Sequence, residues 1–316
     1  MKLSEKISEM ESYLKDNQGD DESWQVLSDL LQEKGDPRGE LIALKYSGKE
    51  DYHKQFLYEL REKDNKKIIL GPLYGKNRCT AFCKNTYVTR LSINFCSIMT
   101  PRHLREIINY HPMINEILLS GTPINFKTSK VFRELPKLKR LTLAGCMLTY
   151  NDCIKFRDID TSDITSLQVS NSFLSYNKIK KIMDHDFQSL ESLNLYGNEL
   201  ADHSISSIFN LGLKIKSLSL AGNHLSNYGI IDIVSMAKAR TFIKGLKFLN
   251  LSHNHIGDQG AVIIGDSECF SNLELLELKG NGITNYGYDY LMGSPYLSNT
   301  VKSHLGNSIG KLIYSI

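Results

Sequence analysis

The residues able to do chemistry are present, and their spacing decides what they can do. Gly71 opens G-P-L-Y-G-K-N, which has the look of a phosphate loop. It has one residue too few between its glycines and no Ser or Thr after Lys76. Cys79 and Cys83 form a C-x-x-x-C pair without a companion Cys or His nearby, so they read as two buried thiols rather than a zinc set. In S-H-N-H, His253 and His255 flank Asn254 at a turn and do not converge on a metal. Asp184-His185-Asp186 ends a helical pattern, where solvation accounts for it. Asn250-Leu251-Ser252 has the form of a glycosylation acceptor but falls within a strand pattern. No nucleophile comes with a base and an orienting group. The expectation is a non-enzymatic chain with no metal and no cofactor.

The elements that carry these residues repeat. The template L-x-x-L-x-L-x-x-N-x-L occurs eight times, with successive copies starting 24 to 31 residues apart. The cleanest three are Ile215, Leu218, Leu220, Asn223, Leu225; Leu246, Leu249, Leu251, Asn254, Ile256; and Leu273, Leu276, Leu278, Asn281, Ile283. Before them come copies beginning at Val88, Ile114, Leu138, Ile164 and Leu190. Alternation such as Leu249-Asn250-Leu251-Ser252 is the signature of a short strand with one face buried. Apolar stripes after the turns, such as Leu104, Ile107 and Ile108, or Ile179, Ile182 and Met183, predict helices that pack back over the strands. A fixed period in this range predicts a solenoid, because one such unit cannot bury both its faces alone.

One slot of the template serves the turn. Asn198, Asn223, Asn254 and Asn281 stand where the chain leaves the strand and buried backbone groups need partners. A carboxamide both donates and accepts, so stacked copies can form a ladder. Cys96 and Cys146, with Thr122 and Ser172, fill the same slot and bond less well, which predicts a less regular N-terminal half. Gly229, Gly260 and Gly287 mark the corner from loop to helix, where a bare backbone packs tightly.

This template resembles that of the leucine-rich repeat proteins from about Tyr87 to Gly287. A helix in most repeats resembles the ribonuclease-inhibitor-like class of that family. The implied fold is α/β: a horseshoe arc with a parallel sheet on the concave side and a mostly helical convex side. Residues 1–70 do not follow the repeat. Three helices are expected there, from the start to Asp16, from Asp20 or Asp21 to Gly35, and from Asp36-Pro37, with a fourth over Asp51 to Lys63. The run S-W-Q-V-L-S-D-L-L-Q-E-K-G-D-P-R-G-E-L is similar to the repeat-companion domain that precedes repeat arrays in mainly bacterial proteins. In D-P-R-G-E, Asp36 is expected to cap a helix and Arg38 to pair with Glu40 or Asp29. The division reads as a helical cap at 1–70, the array at 71–293 and a C-terminal cap at 294–316, where Leu297, Val301, Leu305 and Ile309 recur every fourth residue.

A net charge of +3, from 38 basic and 35 acidic residues, selects neither nucleic acid nor an anionic membrane. The first ten residues are too charged for a signal peptide, and no stretch reaches the length of a membrane span. With Cys96 and Cys146 in the ladder slot, Cys153 in a helix and Cys269 beside a strand, a reducing compartment is expected. The expectation is a cytoplasmic monomer, with delivery into a host cell as the alternative.

What remains for function is the outward side of the strands. Its first column reads Arg90, Glu116, Arg140, Ser166, Ser192, Ser217, Phe248, Leu275. The second ends in Asn250 and Glu277, and the third carries Tyr196, Ser252 and Lys279. Aromatic side chains and arginines dominate binding hot spots. Tyr196, Phe248, His253, Leu275, Glu277 and Lys279 are therefore the candidate residues for a protein partner held on the concave face. The resemblance also admits a GTPase regulator, for which Arg90 and Arg140 are the inner-face arginines, or a ubiquitin-ligase adaptor or secreted bacterial effector.

Overall fold

The computed structural model describes residues 2–47, 71–73, 79–84, 87–94, 101–121, 138–209, 215–239 and 245–313. The helix expected over Asp51 to Lys63, most of the Gly71 loop, the slot residues Cys96 and Thr122, and the side chains of Cys79, Cys83 and Ile309 lie outside them. The chain forms two compact units: Met1–Leu119 with Lys130–Leu138, and Ser120–Ser129 with Lys139–Ile316.

The first unit begins with α1 (Leu3–Asp16), α2 (Asp21–Glu33) and α3 (Pro37–Tyr46). The Asp20 side chain accepts the Ser23 N–H at 3.1 Å and caps α2, which Gly35 ends in the left-handed conformation. Asp36 caps α3 in the same way, with Pro37 at its first position. A Cβ on Gly39 would stand 2.7 Å from the backbone of both Ser28 and Gln32. The two helices therefore meet backbone to backbone, joined where Ser28 Oγ donates to the Gly39 carbonyl at 2.7 Å. Their apolar faces bury Ile7, Leu14, Trp24, Leu27, Leu31 and Ile42 in one cluster with Tyr87 and Met113.

Tyr87 opens β2 (Tyr87–Asn94), which pairs antiparallel with β1 (Cys79–Lys84); α4 (Pro101–Tyr110) and β3 (Glu116–Ser120) follow. That hairpin joins β1, which lies outside the template, to β2, which carries Val88, Leu91 and Ile93 of its first copy, all buried. It also redirects Arg38, which pairs with neither Glu40 nor Asp29. The guanidinium forks onto Asp36, with Nη2 at 2.6 Å, and lies 4.7 Å over the Tyr87 ring. Glu11 stands 4.0 Å away and accepts the Tyr87 hydroxyl at 2.6 Å. An aromatic face and a second carboxylate, brought in by β2 and α1, offer more than a helix neighbour could.

In the second unit six parallel strands lie side by side in chain order: β4 (Arg140–Ala144), β5 (Ser166–Ser170), β6 (Ser192–Asn194), β7 (Ser217–Ser219), β8 (Phe248–Asn250) and β9 (Leu275–Glu277). Their register sets Leu141, Leu167, Leu193, Leu218, Leu249 and Leu276 in one row, all at most 1% exposed. Each such burial contributes about 1.5–3 kcal/mol before entropy is subtracted. After each turn a helix returns the chain: α5 (Tyr150–Lys155), α6 (Tyr176–Met183), α7 (Ile205–Phe209), α8 (Asn227–Ala239), α9 (Gly257–Gly265) and α10 (Asn285–Gly293). The last helix, α11 (Asn299–Ile313), packs against β9 and buries Val301 and Leu305, with Leu297 just before it. The fold is α/β, a solenoid of strand, turn and helix.

Candidate partner-binding face

The turn at the end of each strand is held by the ladder slot. Asn254 Nδ2 donates to the carbonyl of Leu251 in its own repeat at 2.9 Å and to that of Leu220 in the preceding repeat at 3.0 Å. Its Oδ1 accepts the N–H of Leu225 at 3.0 Å. Asn198, Asn223 and Asn281 bond alike, and all four are buried. Ser172 manages less: its hydroxyl accepts the Cys146 N–H at 3.2 Å and donates to the Ser170 carbonyl. The Cys146 thiol lies 3.8 Å from the Ala144 carbonyl, a long contact.

The same register aligns the outward side chains. Phe248 on β8 stands beside Leu275 on β9, and Asn250 stands beside Glu277, to whose carboxylate it donates. Ser166, Ser192 and Ser217 continue the Phe248 row across β5, β6 and β7. Phe248 is 42% exposed and Leu275 half-buried, so a large apolar pair closes a row of hydroxyls. Beside that row, Lys216 pairs with Glu191 at 2.6 Å and Lys247 with Glu274 at 3.2 Å, which neutralises the border.

The other candidates are spread out. Tyr196 follows β6, two strands from Phe248; it is 44% exposed, and its ring lies against Gly222. Lys279 is exposed just beyond β9. His253 does not share the sheet face: it sits in the turn in the left-handed conformation, exposed, with its ring over Gly280. There it lines a cleft of about 500 Å³ with Asn254, His255, Gly257, Gly280, Asn281 and Gly282. The ring of His255 stacks parallel on that of His224 at 6.1 Å. Among the described residues no group of three or more His, Cys, Asp or Glu is placed to hold a metal ion, and no helix is long and apolar enough to cross a membrane.

Two features escape a reading of the template. Met147 and Phe173 follow the slot in successive repeats, left-handed and 69% and 52% exposed. The signal was available, since later repeats put Glu199, His224 and His255 at that place. The second is a cap that crosses repeats. Asp258 on α9 accepts the N–H and hydroxyl of Thr284, each at 2.7 Å, and the N–H of Gly287 at 3.2 Å. The Thr284 hydroxyl, with these N–H groups, holds the Asp258 carboxyl below the usual carboxylate range. Two repeats earlier, Asp202 accepts the N–H and the hydroxyl of Ser226, at 2.8 and 2.7 Å. A Cβ on Gly229 or Gly287 would run into Asp202 or Asp258, and one on Gly260 into Ile256.

One Leucine Rich repeat family model matches residues 246–265 and another matches residues 189–211. A comparison with curated protein sequences finds no match. Among solved structures, an internalin from Listeria monocytogenes is similar at 17% identity and a TM-score of 0.39. The alignment covers 68% of this chain and spans 63% of the internalin. A plant ice-binding protein is similar at 16% identity and a TM-score of 0.36, over 73% of this chain and 71% of that one. The matched repeats, bonded alike along the second unit, give the chain the fold of a leucine-rich repeat solenoid.

Proposed function

We propose that this is a non-enzymatic scaffold that holds a protein partner on the concave face of its repeat sheet. The observation that carries the reading is exposed Phe248 beside half-buried Leu275, an apolar pair rimmed by Glu277 and Lys279 on an otherwise small, polar face. Tyr196 and His253 lie at the margins of the same contact. Binding sites of this composition concentrate their energy in a few large side chains. A helix after most strands supports the ribonuclease-inhibitor-like class. The packing of α1 to α3 onto Tyr87 and Met113 supports a capping module at 1–70, similar to the repeat-companion domain, before an array at 71–293 and a cap at 294–316. Free Cys146 and Cys153 suit a reducing compartment such as the cytoplasm. In this reading the protein acts as a monomer, without nucleic acid or membrane. Arg90 is held by Glu116 at 3.8 Å, which leaves a GTPase-regulating arginine without support on β2.

The test is affinity capture by the full chain, followed by measurement of the captured protein against point variants. Phe248→Ala or Tyr196→Ala should weaken it by about 2 kcal/mol or more where the residue is a hot spot. Lys180→Ala on α6 should change little. A partner indifferent to Phe248 and Tyr196 but sensitive to Trp24 or Lys180 would move the site off the concave face.

A further inference from the structure

At each turn two main-chain donors bond to the repeat that follows, and that leaves the last repeat with these two facing outward. In the repeat of β8, the His253 N–H donates to the Lys279 carbonyl at 2.6 Å and the Ile256 N–H to Asn281 Oδ1 at 3.3 Å. One repeat earlier, the Gly222 N–H donates to the Ser252 carbonyl at 2.8 Å and the Leu225 N–H to Asn254 Oδ1 at 3.0 Å. Before that, Gly197 finds Ala221 at 2.9 Å and Leu200 finds Asn223 Oδ1 at 3.1 Å. In the repeat of β9 the matching donors belong to Gly280 and Ile283, and among the described residues neither has an acceptor. One acceptor is half used as well. The Leu251 carbonyl serves both Asn254 and Asn281, each at 2.9 Å, whereas among the described residues the Leu278 carbonyl serves Asn281 alone, at 2.8 Å. The helix α11 packs against β9, yet Gly280 and Gly282 stay exposed beside the cleft lined by His253 and His255.

We propose that this end of the ladder is a docking site for an extended segment of a partner protein, and that the segment carries an asparagine. Its chemistry is specified by what each earlier repeat receives. A main-chain carbonyl meets the N–H of the residue before the slot. Two residues further along the donor of that carbonyl stands a carboxamide: Ala221 precedes Asn223, Ser252 precedes Asn254 and Lys279 precedes Asn281 in this way. In the docked segment the carbonyl takes the Gly280 N–H. The carboxamide oxygen takes the Ile283 N–H, and its nitrogen donates to the Leu278 carbonyl. An aspartate would bring a second oxygen against that carbonyl, and an alanine would leave both groups unpaired. Addition of a strand to an exposed edge derives its affinity from such main-chain bonds, and bare glycines let the incoming backbone approach.

The experiment titrates isotope-labelled full-length protein with a blocked peptide copying residues 246–257, L-K-F-L-N-L-S-H-N-H-I-G, and with versions carrying Asn254→Ala or Asn254→Asp. The amide resonances of Gly280 and Ile283 should shift with the asparagine peptide, and their exchange with solvent should slow at least tenfold. Both altered peptides should bind at least tenfold more weakly. Silence of these two amides at millimolar peptide, or equal binding by all three peptides, overturns the proposal. So does concentration-dependent protection of both amides in the protein alone, which would make a second copy of this chain the occupant.

Discussion

The imidazole of His253 lies across Gly280 of the next repeat, so that a Cβ on the glycine would stand 2.5 Å from Nδ1. Both residues are left-handed, at φ 55° and 71°, and both precede a ladder asparagine. Asn171 lies on Gly197 in the same manner. A side chain at this position therefore requires glycine at the same position one repeat on.

Gly280→Ala should be destabilising twice over, by about 1–2 kcal/mol for the left-handed backbone and further for displacing the ring. His253→Gly should relieve the second part. Urea melts of the two single variants and the double would show a coupling of at least about 0.5 kcal/mol. Strict additivity would mean that the ring yields freely and the contact constrains nothing.

Each ladder asparagine serves groups in two repeats. Asn223→Ala or Asn254→Ala should cost about 1–3 kcal/mol by leaving buried backbone groups unpaired. Cys146→Ala should cost less, because a thiol is a weak donor and a weak acceptor. Equal losses at all three positions in denaturant melts would contradict the ladder.

Acid should act through Asp258. Its carboxyl is held below the ordinary value by Thr284 and Gly287, so the folded state favours the ionised form. That contribution is present in full above the unfolded value, near 3.9, and fades as pH falls through the lower folded value. Asp258→Asn should be less stable at neutral pH and lose less on acidification. Urea melts at pH 6, 4.5 and 3 test this, and parallel curves for the two proteins would show that the cap does not titrate with folding.

Within the first unit, the half-buried cluster of Arg38, Asp36, Glu11 and Tyr87 joins α1, α3 and β2. Tyr87→Phe deletes the hydroxyl that Glu11 accepts and should cost about 1.5–3 kcal/mol, the usual worth of a bond to a charged group. Arg38→Lys should also destabilise despite its retained charge, because an ammonium cannot both fork onto Asp36 and cover the ring. Calorimetric melting temperatures unchanged in both variants would reduce the cluster to a surface feature.

The amino-acid sequence by itself determined the strands, the turns and the side of each strand that is buried. Those properties are local: a period of two selects the inward leucines, and a recurrent slot places the asparagines at successive turns. Caps such as Asp20 before α2 and Asp36 before α3 were legible for the same reason, since donor and acceptor lie within three residues. Only the tertiary structure decided what lies across repeats or far along the chain. Arg38 chose a ring 49 positions later over its helical neighbours, because packing α1 to α3 on β2 put that ring within reach. His253 left the sheet face because its left-handed backbone turns the side chain onto the following repeat. The outward donors of Gly280 and Ile283 belong to this class too. A hydrogen bond between repeats has no period within either one, and whether it is made depends on the neighbour that the fold supplies.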